Sequence, residues 1–225
     1  MLEFDNVAVS IAGISVLRGV TASVPAGTTV ALVGRNGAGK TTLLRTVMGM
    51  LPCRSGRVLF GGEDLARRPA HRRAELGIGY APENRVLFPH FTVEENLRFP
   101  CEAQGLNKAR IDERLADVMD IVPELKPMLP RSAAALSGGQ GKMAALGRAL
   151  MVGTRLVMLD EPFQGLAPVL AAQYADSLQR LTAARPELAV LVTESNQDFL
   201  RGVQDQALIL ERGELAAAHA TGAVT

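Results

Sequence analysis

Thr29-Val30-Ala31-Leu32-Val33 runs without a break into Gly34-Arg35-Asn36-Gly37-Ala38-Gly39-Lys40-Thr41-Thr42. The first five residues are apolar and rich in β-branched side chains, which suits a buried strand. Beyond the glycines, Leu43, Leu44, Val47 and Met48 recur at helical spacing, so a helix is predicted over residues 42–50, closed by Pro52. The pattern G-x-x-x-x-G-K-[ST] alone would arise by chance on the order of one time in a hundred in a chain of this length. The strand before it and the helix after it turn the pattern into a phosphate-binding loop. Gly34, Gly37 and Gly39 let backbone N–H groups turn inward around phosphates, with Asn36 and Ala38 completing the cradle. The start of the helix adds its positive end. Lys40 should reach the β- and γ-phosphates, the Thr41 hydroxyl should ligate Mg²⁺, and Thr42 is placed to touch the α-phosphate.

Working outward, residues 2–9 alternate apolar and polar, residues 16–24 do so less cleanly, and Pro25-Ala26-Gly27 reads as a turn. Residues 57–60 and 77–80 are strand-like. From Val93 to about Val152 the texture is helical, with helices opening at Glu94 and Glu95, spanning 111–122 and spanning 138–151. Strand character returns at 156–159, 188–193 and 207–210. Two β-rich segments flanking a helical block predict an α/β core with a helical insertion and no separate domain.

Formal net charge is +1, with 48% hydrophobic and 21% charged residues, so no overall field calls for nucleic acid or an anionic membrane. The N-terminus lacks a signal-peptide pattern, and the apolar run at 188–192 is strand-sized. Any membrane connection is therefore expected through a partner. Cys53 and Cys101 read as free thiols of a reducing compartment, and His71, His90 and His219 have no metal-ligand spacing. Arg67, Arg68, His71, Arg72 and Arg73 read as a solvated helix face beside Glu75, since no aromatic residues interleave with them.

Two further elements carry chemistry. The apolar strand at 156–159 ends in Asp160-Glu161, and the ends of such strands are where open α/β sheets bind ligands. Asp160 can hold Mg²⁺, and Glu161 can polarise an attacking water. About twenty residues earlier, Leu136-Ser137-Gly138-Gly139-Gln140 opens a helix whose N–H groups and Ser137 hydroxyl make a second anion site.

This order of motifs resembles the ATP-binding subunits of ABC transporters over nearly the whole chain. The resemblance implies a P-loop NTPase core (1–82 and 153–225) with an antiparallel β subdomain and an inserted α-helical subdomain (83–152). It implies ATP and Mg²⁺ as ligands, and a head-to-tail dimer in which Ser137, Gly138, Gly139 and Gln140 of one protomer cap the ATP of the other. Gly79-Tyr80-Ala81-Pro82-Glu83 looks like the loop joining core to helical lobe, with Glu83 as a further metal contact where Gln is more common. Gly165-Leu166-Ala167-Pro168 looks like the loop that touches the opposite protomer. Residues 82–89 and 92–97 are similar to those of the branched-chain amino acid importer ATPases and their urea and amide relatives. An integral-membrane permease, a substrate-binding protein acting through it, and a cytoplasmic location on the inner membrane face are implied in the same way.

Three positions depart from the pattern. Ile11 stands where an aromatic residue usually stacks on adenine, so weaker nucleotide affinity is expected. Ser195 stands where a His usually meets the γ-phosphate; a hydroxyl offers only a neutral bond, so hydrolysis is expected to be slow. Gly141 follows Gln140 early in a helix, at a cost of up to about 1 kcal/mol relative to Ala. The leading expectation is an ATPase energising import of a small polar solute. A weakly hydrolysing regulatory nucleotide-binding module is the alternative, with Ile11 and Ser195 in its favour and Glu161 against it. A soluble ATPase acting on nucleic acid or ribosomes is a third class, usually marked by paired cassettes or long inserts.

Overall fold

The computed structural model describes residues 1–216; His219 and the end of the domain expected to reach residue 225 lie outside the described residues. β1 (Leu2–Ile11) and β2 (Ile14–Val24) form a hairpin around Ala12 and Gly13, whose φ angles of 49° and 82° are those of a tight turn matching strand twist. β3 (Thr29–Val33) leads through the glycine loop into α1 (Lys40–Val47), followed by β4 (Ser55–Phe60), β5 (Glu63–Asp64) and β6 (Ile78–Ala81). Then come α2 (Val93–Glu102), α3 (Lys108–Ile121) and α4 (Gly138–Val152). The chain returns through β7 (Leu156–Asp160), α5 (Pro168–Ala184), β8 (Ala189–Glu194), β9 (Gln206–Glu211) and β10 (Glu214–Leu215).

The strands make two sheets. One is four-stranded and antiparallel, in the order β2-β1-β4-β5; the other is six-stranded, β10-β9-β3-β8-β7-β6, and parallel except for β10 at its edge. Sheet order explains the sequence texture. β7 and β8 are buried along their whole length, so they read as unbroken apolar runs rather than alternating ones. Alternation survives as a choice between two cores. Ala31, Val157, Leu159, Val190 and Val192 face a cluster built with α2–α5. Val30, Leu32, Leu156, Met158, Ala189 and Leu191 face a second cluster, shared with α1 and the antiparallel sheet. Free Cys53 packs against this second core and free Cys101 lies inside the first.

Two features differ from expectation. The 17-residue α5 was not foreseen. Its buried face is only Tyr174, Ser177, Leu178 and Leu181, and the alanines around that face blur its period. The basic run is not one solvated helix face. It is broken into three short 3-10 turns, at Leu65–Arg67, Ala70–Arg72 and Ala74–Leu76, and Arg73 between the last two is buried. The physical reason is the end of α1, whose last carbonyls have no partner within the helix. The Arg73 guanidinium donates to the carbonyls of Thr46 (2.8 Å), Val47 and Leu65 (2.9 Å), joining the helix behind the phosphate loop to the excursion after β5. Arg67, His71 and Arg72 do remain exposed.

Arg73→Met, which keeps the volume but strands these carbonyls, should cost about 2–4 kcal/mol in chemical denaturation, whereas Arg67→Ala should cost under about 0.5 kcal/mol.

Candidate functional site

The loop after β3 ends where α1 begins. Gly39 sits there at φ 111°, and a Cβ on it would lie 2.7 Å from Leu17 Cδ2, so only glycine fits. No side chain caps α1, and no acidic residue lies in its first turn. Its first N–H groups are thus left to a ligand, and their partial positive charge suits an anion.

Beneath the loop lies a hydrogen-bonded knot. Asp160, 2% exposed, ends β7. Its Oδ1 accepts from the hydroxyls of Thr41 (3.0 Å) and Thr193 (2.9 Å), and its Oδ2 accepts from the Tyr80 hydroxyl at 3.2 Å. Burial and the adjacent Asp160 charge push the Tyr80 phenol above its ordinary value, so it stays a donor. Glu161 follows at φ 45°, a strained conformation for a residue with a Cβ. Its N–H donates to the carbonyl and hydroxyl of Thr193, both at 3.1 Å. Its carboxylate Oε1 pairs with Lys40 Nζ at 2.9 Å, while Oε2 is buried without a partner. Lys40, itself buried, also donates back to the carbonyls of Gly34 and Arg35. A strained carboxylate with an orphaned oxygen has room for one more donor, such as a water.

Of these groups Lys40, Thr41 and Glu161 border a cleft of about 430 Å³, with Asp160 behind Thr41. Ile11, Asn36, Gly37, Gly39, Lys40, Thr41, Thr42, Glu83 and Glu161 all line it, joined by Val16 and Gln164, which the sequence did not single out. Ile11, 41% exposed, supplies its apolar wall. Gly34 and Ala38 support the loop from behind, with the Gly34 N–H donating to the Glu194 carbonyl at 3.1 Å and the Gly213 N–H donating to the Ala38 carbonyl at 3.0 Å. A hydroxyl and a carboxylate 3.0 Å apart are hard oxygen donors, of the kind Mg²⁺ takes. Among the described residues no cluster of three or more His, Cys, Asp or Glu could enclose a metal.

A family model described as "ABC transporter" matches residues 17–164. The chain belongs to the ABC transporter family. It is an ATPase whose hydrolysis is coupled to transport. The high-affinity branched-chain amino acid transport ATP-binding protein BraG of Pseudomonas aeruginosa is 36% identical over 99% of this chain and 94% of its own length. A probable branched-chain amino acid transport ATP-binding protein, LivF of Archaeoglobus fulgidus, is 34% identical over 89% of this chain and 84% of its length. The Fe(3+) ions import ATP-binding protein FbpC of Pseudomonas fluorescens is 37% identical over 97% of the chain but 61% of its own length. Among solved structures, an ATP-binding subunit of an ABC transporter superposes with a TM-score of 0.84 at 29% identity, over 96% of this chain and 88% of its own.

The remaining ABC motif lies apart from the cleft. Ser137 and Gln140 form a reciprocal capping box at the start of α4, with Ser137 and Gly138 exposed. Gly139 and Gly141 are sites of close approach: a Cβ would fall 2.4 Å from Leu170 Cδ1 at the first and 2.9 Å from Arg85 Cδ at the second. Arg85 also donates to the Gly138 carbonyl at 3.2 Å, so Gly141 makes room for a side chain that fastens the loop after Glu83 to α4. Ser195 is exposed and lines an adjoining hollow with Arg18, Arg35 and Arg212, which shares Asn36 and Gly37 with the cleft around Lys40.

Sequence reasoning missed Thr193, Lys142 and Glu194. Thr193 is the register partner of Asp160 across β7 and β8, which local pattern does not show. Glu194 is buried and accepts from the Phe163 N–H at 2.9 Å. Burial, with Glu161 adding to it and Lys142 opposing, raises its carboxyl to about 7. Folding therefore favours the protonated form: that contribution is whole below about pH 4.5 and is lost as pH rises through about 7. Glu194→Gln should flatten the fall in melting temperature over that window and leave the protein more stable than wild type near about pH 8, by on the order of 1–3 kcal/mol.

Proposed function

We propose that the chain is the ATP-binding, ATP-hydrolysing subunit of an importer for a small polar solute of the branched-chain amino acid, urea or amide class. The observation that carries the reading is the strand-end pair Asp160-Glu161, wired to Thr41 and Lys40 of the phosphate loop. The substrate class rests on the two branched-chain transport relatives and on the likeness of residues 82–97 to that subfamily.

In this reading the loop at 34–42 receives the phosphates, and Lys40 exchanges the Glu161 carboxylate for phosphate oxygens. That exchange frees Glu161 to accept a proton from the attacking water, and its buried Oε2 has no protein donor to compete for it. Thr41 and Asp160, with Glu83 from the far wall, would hold Mg²⁺. When bound, the ion neutralises phosphate charge and orients the transferred group. The tip at Ser137, Gly138, Gly139 and Gln140, exposed at its first two residues, does not line its own cleft, so it is offered to the ATP of a second protomer, and closure makes two complete sites. The core at 1–82 and 153–225 would hold the nucleotide while the lobe at 83–152 carries this tip.

No helix among the described residues is long and apolar enough to cross a membrane. In this reading the transport path lies in a separate permease. A groove of about 480 Å³ between core and lobe, lined by Met48, Met50, Tyr80, Pro82, Val86 and Pro100, suits a short permease helix. Met50 and Val86, 58% and 57% exposed, are its apolar contacts. This would hold the subunit at the inner membrane face, with a substrate-binding protein acting on the permease from the other side.

Glu161→Gln should reduce hydrolysis by about 100-fold or more and trap an ATP-bound dimer on size-exclusion chromatography. Retained hydrolysis would sink the assignment, and the integral-membrane protein that co-purifies with the trapped dimer tests the transport role. Ile11→Tyr should tighten ATP binding by about 5-fold or more in calorimetry, as stacking of order 1–3 kcal/mol allows.

A further inference from the structure

Lys142 lies two residues beyond the capping box of α4, and its half-buried side chain reaches the end of β7. Its ammonium donates to the main-chain carbonyl of Glu161 at 2.6 Å. The Glu161 residue is thereby gripped on both flanks: its N–H by Thr193, from β8, and its carbonyl by Lys142, from α4. The grip falls on the strained residue of the site, at φ 45°. Such a conformation is unfavourable for a residue with a Cβ and persists only where the surroundings over-determine it. Burial lowers the affinity of the Lys142 amine for its proton, and the fields of Glu194, Glu83 and Glu161 offset that only in part.

We infer that Lys142 is a positioning residue for hydrolysis, tying the first turn of α4 to the peptide that aims the Glu161 carboxylate. The inference rests on Glu161 being the general base proposed above. Its consequence is a mechanical link between two half-sites. The tip of α4 caps the partner's nucleotide, and the same helical turn holds the base of its own site. Leu166 and Leu170 against Gly139, and Arg85 against Gly141, pack that turn closely, so a displacement of the tip is passed on to Lys142 rather than absorbed. Without the ammonium the Glu161 carbonyl keeps only the longer bond from the Gln164 N–H, at 3.3 Å, and the backbone can relax toward negative φ. The phosphate contacts at 34–42 are untouched by that change.

The test is steady-state hydrolysis by the full chain with Mg·ATP, comparing Lys142→Met, Lys142→Gln and Lys142→Arg with wild type. Lys142→Met should lower kcat by about 10-fold or more while KM for ATP stays within about 2-fold, the mark of a group acting on the transition state alone. Lys142→Gln should lose kcat in the same sense and supplies the measurement if the methionine variant unfolds. Lys142→Arg should recover kcat to within about 3-fold of wild type. In the Glu161→Gln background, Lys142→Met should still give the ATP-bound dimer. Wild-type kcat in both neutral variants, a loss confined to KM, an arginine variant as impaired as the methionine one, or failure of the doubly substituted dimer would each overturn the inference. Full hydrolysis by Glu161→Gln alone would instead bring down the assignment of the base, and the two failures are distinguishable.

Discussion

A carboxylate buried at the end of an apolar sheet is tolerated only if donors surround it, and the site is organised around meeting that demand at Asp160. Thr41 brings the start of α1, Thr193 the end of β8 and Tyr80 the end of β6, each hydroxyl donating to the same side chain. Three elements far apart in sequence are thereby fixed within hydrogen-bonding distance of one another. The phosphate loop hangs between two of them, so its shape follows from the bonding of a residue that lies outside it.

The same sheet explains why a rigid cradle can coexist with a second lobe. Because both faces of the parallel strands are buried, the chain needs two cores, and it assigns alternate strand residues to each. One core ties the cradle to α1 and the antiparallel sheet. The other joins the strand ends to α4, so the helix that opens with the Ser137–Gln140 capping box packs on the face opposite α1. Arg73 secures the core shared with α1 where that helix ends, and Lys142 and Arg85 fasten α4 to the site from the other side of the sheet.

What could be read in the sequence is what depends on runs of neighbouring residues. The unbroken apolar stretches of β3, β7 and β8, the glycine loop and the pair Asp160-Glu161 needed no tertiary information, and the loop, Ile11, Glu83 and Glu161 come together round one cleft. What could not be read depends on partners. Thr193 reaches Asp160 through parallel register, and Lys142 reaches Glu161 by helix packing across the fold. Arg73 looked like one charge in a solvated row because the carbonyls it satisfies lie at the end of a helix well before it. The alanine-rich α5 hid for the opposite reason, having too small an apolar face to show a period.

The separation of the α4 tip from the cleft of its own chain has a genetic consequence. If each ATP is held by the loop of one protomer and the tip of the other, damage to Ser137 spoils the neighbour's pocket and spares the chain's own. A subunit altered at the tip, co-expressed with one altered at Lys40, would assemble a dimer with both lesions in one pocket and an intact pocket opposite. Such alleles would complement each other in part, while either alone would leave no sound pocket in its homodimer.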